Sequence, residues 1–112
     1  FRSVESREFR LKILAEDFRA AGTAVLDSLA EYAKEQPGWS IAPDNCEGVR
    51  VNLDKAHGDG WFLLRLSLHD PILPLNIESD REHGARTIAR ELAPFLAQQT
   101  EIDASSALEF TL

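Results

Sequence analysis

The sequence contains no methionine, one cysteine, and fewer basic than acidic residues. The single cysteine, Cys46, excludes a disulfide framework and favours a reducing compartment, so we expect a cytoplasmic protein. Twelve Lys and Arg against nineteen Asp and Glu give a net charge of −7. Nucleic acids and anionic membrane surfaces are bound by basic faces, so we expect neither as a partner. No apolar run reaches the roughly 18 residues of a membrane span, and the first residues lack the pattern of a secretory signal.

The residues that are present have the composition of one globular domain. The chain has 112 residues, of which 44% are hydrophobic and 28% are charged, and this balance excludes wholesale disorder. A chain of this length forms one core without metal or disulfide cross-links, so we expect residues 1–112 to be a single domain. Because the chain begins at Phe1 and lacks methionine, we also expect it to be excised from a larger protein.

Hydrophobic periodicity predicts the secondary structure. Residues 8–13 alternate apolar and polar, as a half-buried strand does. A first helix follows, ended by Pro37-Gly38 and closely packed at Gly22, and its apolar stripe comprises Leu14, Phe18, Ala21, Val25, Leu29 and Tyr32. Four further strands are predicted at residues 39–42, 48–53, 61–67 and 73–77.

The later strands and the second helix have further sequence signals. The strand at 61–67 is almost all apolar, so we expect both of its faces to be covered. Pro74 indicates an edge strand or a locally unpaired position. Ser79 and Glu82 are spaced as a capping box before a second helix, whose apolar stripe comprises Ala85, Ile88, Leu92 and Phe95. The tail after Thr100 is weakly patterned and could form a strand or stay loose.

The order β-α-β-β-β-β-α predicts the fold class. A run of antiparallel strands flanked by two helices indicates an α+β domain. We therefore expect an antiparallel sheet of four to five strands with two helices packed on one face.

One segment combines residue types that could bind an anion. Residues 65–71 read Arg-Leu-Ser-Leu-His-Asp-Pro and pass from a predicted strand into a turn. Arginine offers a planar fork of donors that matches phosphate, serine offers a hydroxyl, a turn leaves backbone N–H groups free, and His69 can donate from its ring. On the pattern alone, an arginine in a surface salt bridge beside an ordinary turn is the commoner situation. Both interpretations stay open at this point.

Several motifs around this segment occur in a recognisable order, namely Gly48-Val49-Arg50-Val51, Gly60-Trp61, residues 64–71 and Asn76-Ile77-Glu78-Ser79. In that order and spacing they resemble the C-terminal domain of the α-D-phosphohexomutases, the phosphoglucomutase/phosphomannomutase family. The resemblance is strongest over residues 47–96 and extends back to Glu8. It implies a TBP-like fold and a C-terminal domain excised from a larger phosphohexomutase.

The resemblance also implies roles for individual residues. In such enzymes the Arg-x-Ser loop of the last domain holds the substrate phosphate that is not being transferred. By position, Arg65 would pair with that phosphate, Ser67 would donate its hydroxyl, and Leu68 and His69 would donate backbone N–H groups. The family loop has Gly, Thr and Glu where this chain has Leu68, His69 and Asp70. Without Gly the loop loses easy access to positive φ, so its backbone is expected to differ.

For the full-length protein, the resemblance implies an isomerase of carbohydrate metabolism, an intramolecular phosphotransferase. It would interconvert hexose 1-phosphate and hexose 6-phosphate, with glucose or mannose as the sugar. A phosphoserine and Mg²⁺ would lie in earlier domains. The isolated chain is expected to contain no catalytic residue, to bind no metal and to be inactive. Its expected partners are the phosphosugar and the other domains of the enzyme.

The alternative is a free-standing, non-enzymatic module of similar fold that binds a ligand or another protein. Other candidate sites are weaker. Ser67, His69 and Asp70 are the residue types of a hydrolase triad, but near neighbours on one strand cannot easily converge. Asp54, His57 and Asp59 lack the spacing of a known metal site and predict a solvated loop. Cys46 has no activating neighbour in the sequence.

Overall fold

The computed structural model describes residues 3–43 and 48–112. Its strands are β1 (Glu5–Ile13), β2 (Trp39–Ala42), β3 (Gly48–Leu53), β4 (Gly60–Arg65), β5 (Ile72–Ser79) and β6 (Ile102–Asp103). Its α-helices are α1 (Phe18–Lys34), α2 (Gly84–Ala97) and α3 (Ser105–Phe110), and a short 3₁₀ helix spans Lys55–His57. Cys46 lies outside the described residues.

The strands of the described ranges form one antiparallel sheet in the order β2-β3-β4-β5-β1-β6. The chain therefore has the predicted α+β fold with an antiparallel sheet. The tail adds two elements, the short strand β6 beside β1 and the short helix α3. Strand β5 lies inside the sheet between β4 and β1, so Pro74 is not on an edge.

The core lies between one face of the sheet and the helices. Alternate strand residues are fully buried on that face, among them Leu11, Val51, Phe62, Leu64, Leu73, Leu75 and Ile77. Trp61, Leu63 and Arg65 alternate with Phe62 and Leu64, so they lie on the opposite face, which we call the open face. These three residues are only half-buried. The prediction that β4 is covered on both faces is therefore wrong, because the helices pack on one face only.

Helix α1 begins later than its apolar stripe predicted. The Asp17 carboxylate accepts the backbone N–H of Ala20 at 3.2 Å and caps the helix, which starts at Phe18. Leu14 precedes the helix and is 64% exposed, so it does not belong to the stripe. The close packing expected at Gly22 is confirmed, since a Cβ there would lie 2.7 Å from Cδ1 of Leu66.

The predicted capping box before α2 is wrong. Ser79 is buried at the end of β5, and its hydroxyl donates to the carbonyl of Gly58 at 2.6 Å and accepts the N–H of Arg81. The helix is capped instead from β1, where the Glu5 carboxylate accepts the N–H groups of His83 and Ala85 at 2.9 and 3.1 Å.

The tail is held to the rest of the fold by Phe110. Its ring lies 5.5 Å from the ring of Phe9, and the guanidinium groups of Arg7 and Arg86 lie 5.5 and 5.4 Å from its centroid. Residues 105–110 are therefore helical rather than extended or loose. Within residues 3–43 and 48–112, no helix is long and apolar enough to cross a membrane.

Candidate anion-binding site

Arg65 is the last residue of β4 and lies on the open face of the sheet. Its neighbour on β3 is a glycine without a side chain, and its neighbour on β5 is a proline without a backbone N–H. Gly48 pairs with it on β3, and a Cβ at Gly48 would lie 2.8 Å from Cβ of Arg65 and 2.7 Å from the Leu64 carbonyl oxygen. On the other side Pro74 has no N–H to donate, and the β4–β5 pairing ends one position earlier, at Leu64 and Leu75. The local loss of pairing expected at Pro74 is thus confirmed.

The guanidinium of Arg65 has no hydrogen bond or ion pair to any residue in 3–43 or 48–112. Its side chain is half-buried. A surface salt bridge with a described residue, the commoner situation for such an arginine, is therefore not what this structure contains. As far as the described residues are concerned, the five N–H donors of the Arg65 guanidinium are not taken up by another group.

The loop after Arg65 is closed by its own hydrogen bonds. The N–H of Ser67 donates to the carbonyl of Ile72 at 3.0 Å, and the N–H of Ile72 donates to the carbonyl of Asp70 at 2.8 Å. The hydroxyl oxygen of Ser67 accepts the N–H of Asp70 at 3.4 Å, which leaves the hydroxyl hydrogen of Ser67 to donate elsewhere.

Besides the N–H of the buried Leu66, two backbone donors of this loop have no acceptor in the described part of the chain, the N–H groups of Leu68 and His69. Both residues are exposed, so these groups reach solvent. The structure thus places Arg65, Ser67, Leu68 and His69, the four residues proposed from the sequence, on one strand end and the turn that follows it. Successive N–H groups in a turn form a concave surface suited to an anion.

Leu68 lies in the loop without backbone strain. Among the described residues other than glycine, only Asp59 and His83 have positive φ, so Leu68 does not need the conformation that favours glycine. Its side chain is 63% exposed. The ring of His69 and the carboxylate of Asp70 make no hydrogen bond or ion pair within residues 3–43 and 48–112, and Asp70 is contacted there through its backbone N–H, which donates to Ser67.

Sequence reasoning missed one residue of this region, Arg19. Its guanidinium Nη2 donates to the carbonyl oxygen of Leu68, which links α1 to the loop. The available signal was helical spacing, because Arg19 lies one turn before Gly22, where α1 packs directly on Leu66.

A groove of about 560 Å³ lies on the other side of the sheet, between α1 and the start of β3. Arg19, Thr23 and Asp27 form its polar wall, and Leu66 contributes to its apolar floor. Leu66 and Arg65 point to opposite faces, but the groove adjoins the site, because Arg19, which contacts the loop, and Gly48, which pairs with Arg65, both line it.

The other candidate residues have structural partners. Nδ1 of His57 lies 2.6 Å from Oδ1 of Asp54, and this contact raises the pKa of His57 and lowers the pKa of Asp54. The carbonyl of Asp59 accepts the N–H of Asp80. In the part of the chain that the structure describes, no group of three or more His, Cys, Asp or Glu could hold a metal ion. The contact between His57 and Asp54 thus joins two residues of the same loop.

A comparison with protein-family models finds no match to this chain. Among curated proteins, a stretch of 58 residues is 34% identical to a protein from Methanopyrus kandleri named "Probable phosphoglucosamine mutase". The matched stretch is 52% of this chain and 12% of that protein. The similarity supports a relationship to a phosphohexomutase over that stretch, and the chain spans only a small part of the relative's length.

Proposed function

We propose that this chain is the substrate-phosphate-binding domain of a phosphohexomutase and that the loop at the end of β4 holds the phosphate of a phosphosugar. In this proposal the Arg65 guanidinium pairs with the phosphate, the Ser67 hydroxyl donates to it, and the N–H groups of Leu68 and His69 complete the contacts. The whole enzyme would be an isomerase that moves phosphate between the 1- and 6-positions of a hexose.

The observation that carries the proposal is the guanidinium of Arg65, which has no partner in the part of the chain that the structure describes. This half-buried arginine has several donors, and none of them has an acceptor among residues 3–43 and 48–112. Beside it are a serine hydroxyl and two backbone N–H groups without acceptors in residues 3–43 and 48–112. Arginine and phosphate form paired hydrogen bonds that are stronger than neutral ones. An oxyanion with several acceptor oxygens would satisfy all of these donors at once.

Because the chain has a net charge of −7, its affinity for an anion depends on the donors placed around Arg65. Long-range attraction cannot concentrate an anion at this molecule, so affinity must come from directed contacts. Among the described residues, no acidic cluster could hold the Mg²⁺ that such an enzyme uses. By the resemblance, Mg²⁺ would be held by the other domains of the enzyme. Its role is to orient the distal phosphate and to retain the sugar while other domains perform the transfer.

Removal of Arg65 tests the proposal directly. In the full-length enzyme, Arg65→Ala is expected to lower kcat/KM. The activation free energy that corresponds to kcat/KM should rise by about 2–4 kcal/mol, the scale of a lost buried charge pair. Arg65→Lys keeps the charge but loses the planar fork, so it should recover only part of the loss. Steady-state kinetics with the phosphates of glucose, mannose and glucosamine measure these effects and identify the preferred sugar.

Arg10→Ala is the matched control. Arg10 pairs with Pro74 on the open face, so it lies two strands from Arg65, roughly 9–10 Å away by strand spacing. The variant removes the same charge from the same face without touching the loop. Wild-type kinetics in Arg65→Ala, or an equal loss in Arg10→Ala, would contradict the role of Arg65.

The size of the native gene product separates the enzyme from the alternative, a free-standing binding module. An immunoblot of the source cell with an antibody raised to this chain should show a protein several times larger than 112 residues. The proposed enzyme has several domains, and each domain of a long chain typically has about 100–150 residues. A band at the size of this chain alone would exclude attached catalytic domains and support the module.

A further inference from the structure

Arg19 contacts the candidate loop from the helix side of the sheet. Its guanidinium donates to the carbonyl oxygen of Leu68, 49 residues away in the chain. Arg19 is exposed, and its contact is with a backbone carbonyl rather than with a carboxylate. The guanidinium also lies 5.7 Å from the centroid of the neighbouring Phe18 ring, but its hydrogen bond to the loop fixes the orientation of one peptide group.

That peptide group joins Leu68 to His69. The described chain has no cis peptide bond, so the carbonyl of Leu68 and the N–H of His69 point in opposite directions. Arg19 holds the carbonyl toward α1. The N–H of His69 is consequently directed away from α1.

The side of the loop away from α1 is the side of Arg65 and Ser67. Leu66 points toward α1, since Gly22 of α1 lies directly against its side chain. Arg65 and Ser67 flank Leu66 and alternate to the other side of the strand direction. The His69 N–H, which has no acceptor within residues 3–43 and 48–112, is thus turned toward the same region as the Arg65 guanidinium.

We propose that Arg19 is a positioning residue of the anion site: it orients the peptide between Leu68 and His69 so that the His69 N–H donates to the bound anion. This inference rests on the proposed function of the loop. A leucine at position 68 cannot rotate its peptide groups as freely as glycine. The hydrogen bond from α1 selects one orientation.

Titration of the ¹⁵N-labelled chain with inorganic phosphate tests the inference. In the wild type, the His69 amide proton should move downfield as phosphate binds. Arg19→Met should weaken phosphate binding about tenfold and should abolish most of the His69 shift, because the peptide is no longer held. Arg19→Lys keeps one donor and the charge, so it should restore the His69 shift in large part.

Arg90→Met is the matched control. Arg90 also donates to a backbone carbonyl, that of Thr111 at 2.8 Å, and it is also an exposed arginine on a helix. Its replacement removes the same charge and the same kind of contact far from the loop. Phosphate affinity and the His69 shift should both stay at their wild-type values. An unchanged melting temperature would show that neither variant acts through unfolding.

The outcomes distinguish this inference from the proposed function. If the wild type binds phosphate with dependence on Arg65, and Arg19→Met keeps both the affinity and the His69 shift, the role of Arg19 is wrong. Equal weakening by Arg19→Met and Arg90→Met would assign the effect to net charge and would also overturn it. If the wild-type chain shows no Arg65-dependent phosphate binding, the proposed function of the loop itself fails.

Discussion

Gly48 decides whether Arg65 has room at the end of β4. The two residues pair across β3 and β4, and the missing side chain of Gly48 leaves their backbones in close approach. A Cβ at position 48 would meet the Leu64 carbonyl at 2.7 Å, and a backbone atom cannot move aside as a flexible side chain can.

We therefore expect Gly48→Ala to destabilise the fold by about 1–3 kcal/mol and to weaken phosphate binding by displacing Arg65. Urea unfolding and a phosphate titration measure the two effects. Asn52→Ala is the control, because Asn52 is an exposed residue of the same strand and its loss should change stability by less than about 0.5 kcal/mol. An alanine at 48 that leaves both quantities unchanged would show that the close approach is unimportant.

At the scale of the element, the start of α2 depends on a carboxylate from β1. The N–H of His83 donates to Glu5 and is the main cause that lowers the pKa of this carboxyl, with the N–H of Ala85 adding to it. A carboxyl whose pKa is lowered by folding stabilises the native state above its ordinary pKa near 4.5. That contribution is lost as the pH falls through the lowered value.

Glu5→Gln should therefore cost about 0.5–2 kcal/mol at pH 7, the range for a lost helix cap. The difference between wild type and variant should shrink as the pH is lowered through the acidic range, because the wild-type carboxyl is then protonated. Urea unfolding at several pH values measures this. Glu8→Gln removes the same charge from an exposed position of β1 and should leave stability nearly unchanged. A gap that stays constant down to low pH would rule out the charged cap.

The elements that follow from local periodicity were predictable, and those that depend on distant partners were not. The alternation at residues 8–13 and the stripe of α1 reflect which face is buried, so the sequence contains them directly. The cap of α2 comes from Glu5, about 80 residues before the helix, and no local motif reveals it. Ser79 has the spacing of a cap, but burial beside Gly58 gives its hydroxyl other partners.

Likewise, only part of the candidate site could be predicted from the sequence. Arg65 and Ser67 stand in one short motif, so residue chemistry and family resemblance were enough to propose them. Arg19 reaches the loop only because α1 packs on Leu66. Helix α3 was missed for a similar reason, since Phe110 is held by rings and guanidinium groups from β1 and α2.

At the scale of the whole molecule, an aromatic cluster joins both long helices to the sheet. The Trp39 ring lies 5.7 Å from Tyr32 of α1 and 5.3 Å from Phe62 of β4, and Tyr32 lies 5.4 Å from Phe95 of α2. The indole N–H of Trp39 donates to Glu91 of α2 at 2.9 Å. Helices that share one core should not unfold separately.

We expect one cooperative transition in urea, with tryptophan fluorescence and far-UV circular dichroism giving the same midpoint. Trp39→Ala should lower that midpoint by both probes, with a loss of about 3–5 kcal/mol for a buried aromatic residue. Trp61→Ala is the control, because Trp61 lies half-buried on the open face beneath Arg50 and should cost much less. Separate midpoints for the two probes would mean that the helices unfold independently.

The two outer strands of the sheet are its shortest. Strand β2 has four residues and β6 has two, while the strands between them have six to nine. A sheet edge recruits strands from other molecules through its row of unpaired backbone groups, and a short edge offers few of them. The four-residue β2 therefore limits edge-to-edge pairing on its side of the sheet, whereas β6 pairs with β1 only at Lys12 and Ile13, so residues 5–11 of β1 have no strand neighbour on that side within the described ranges.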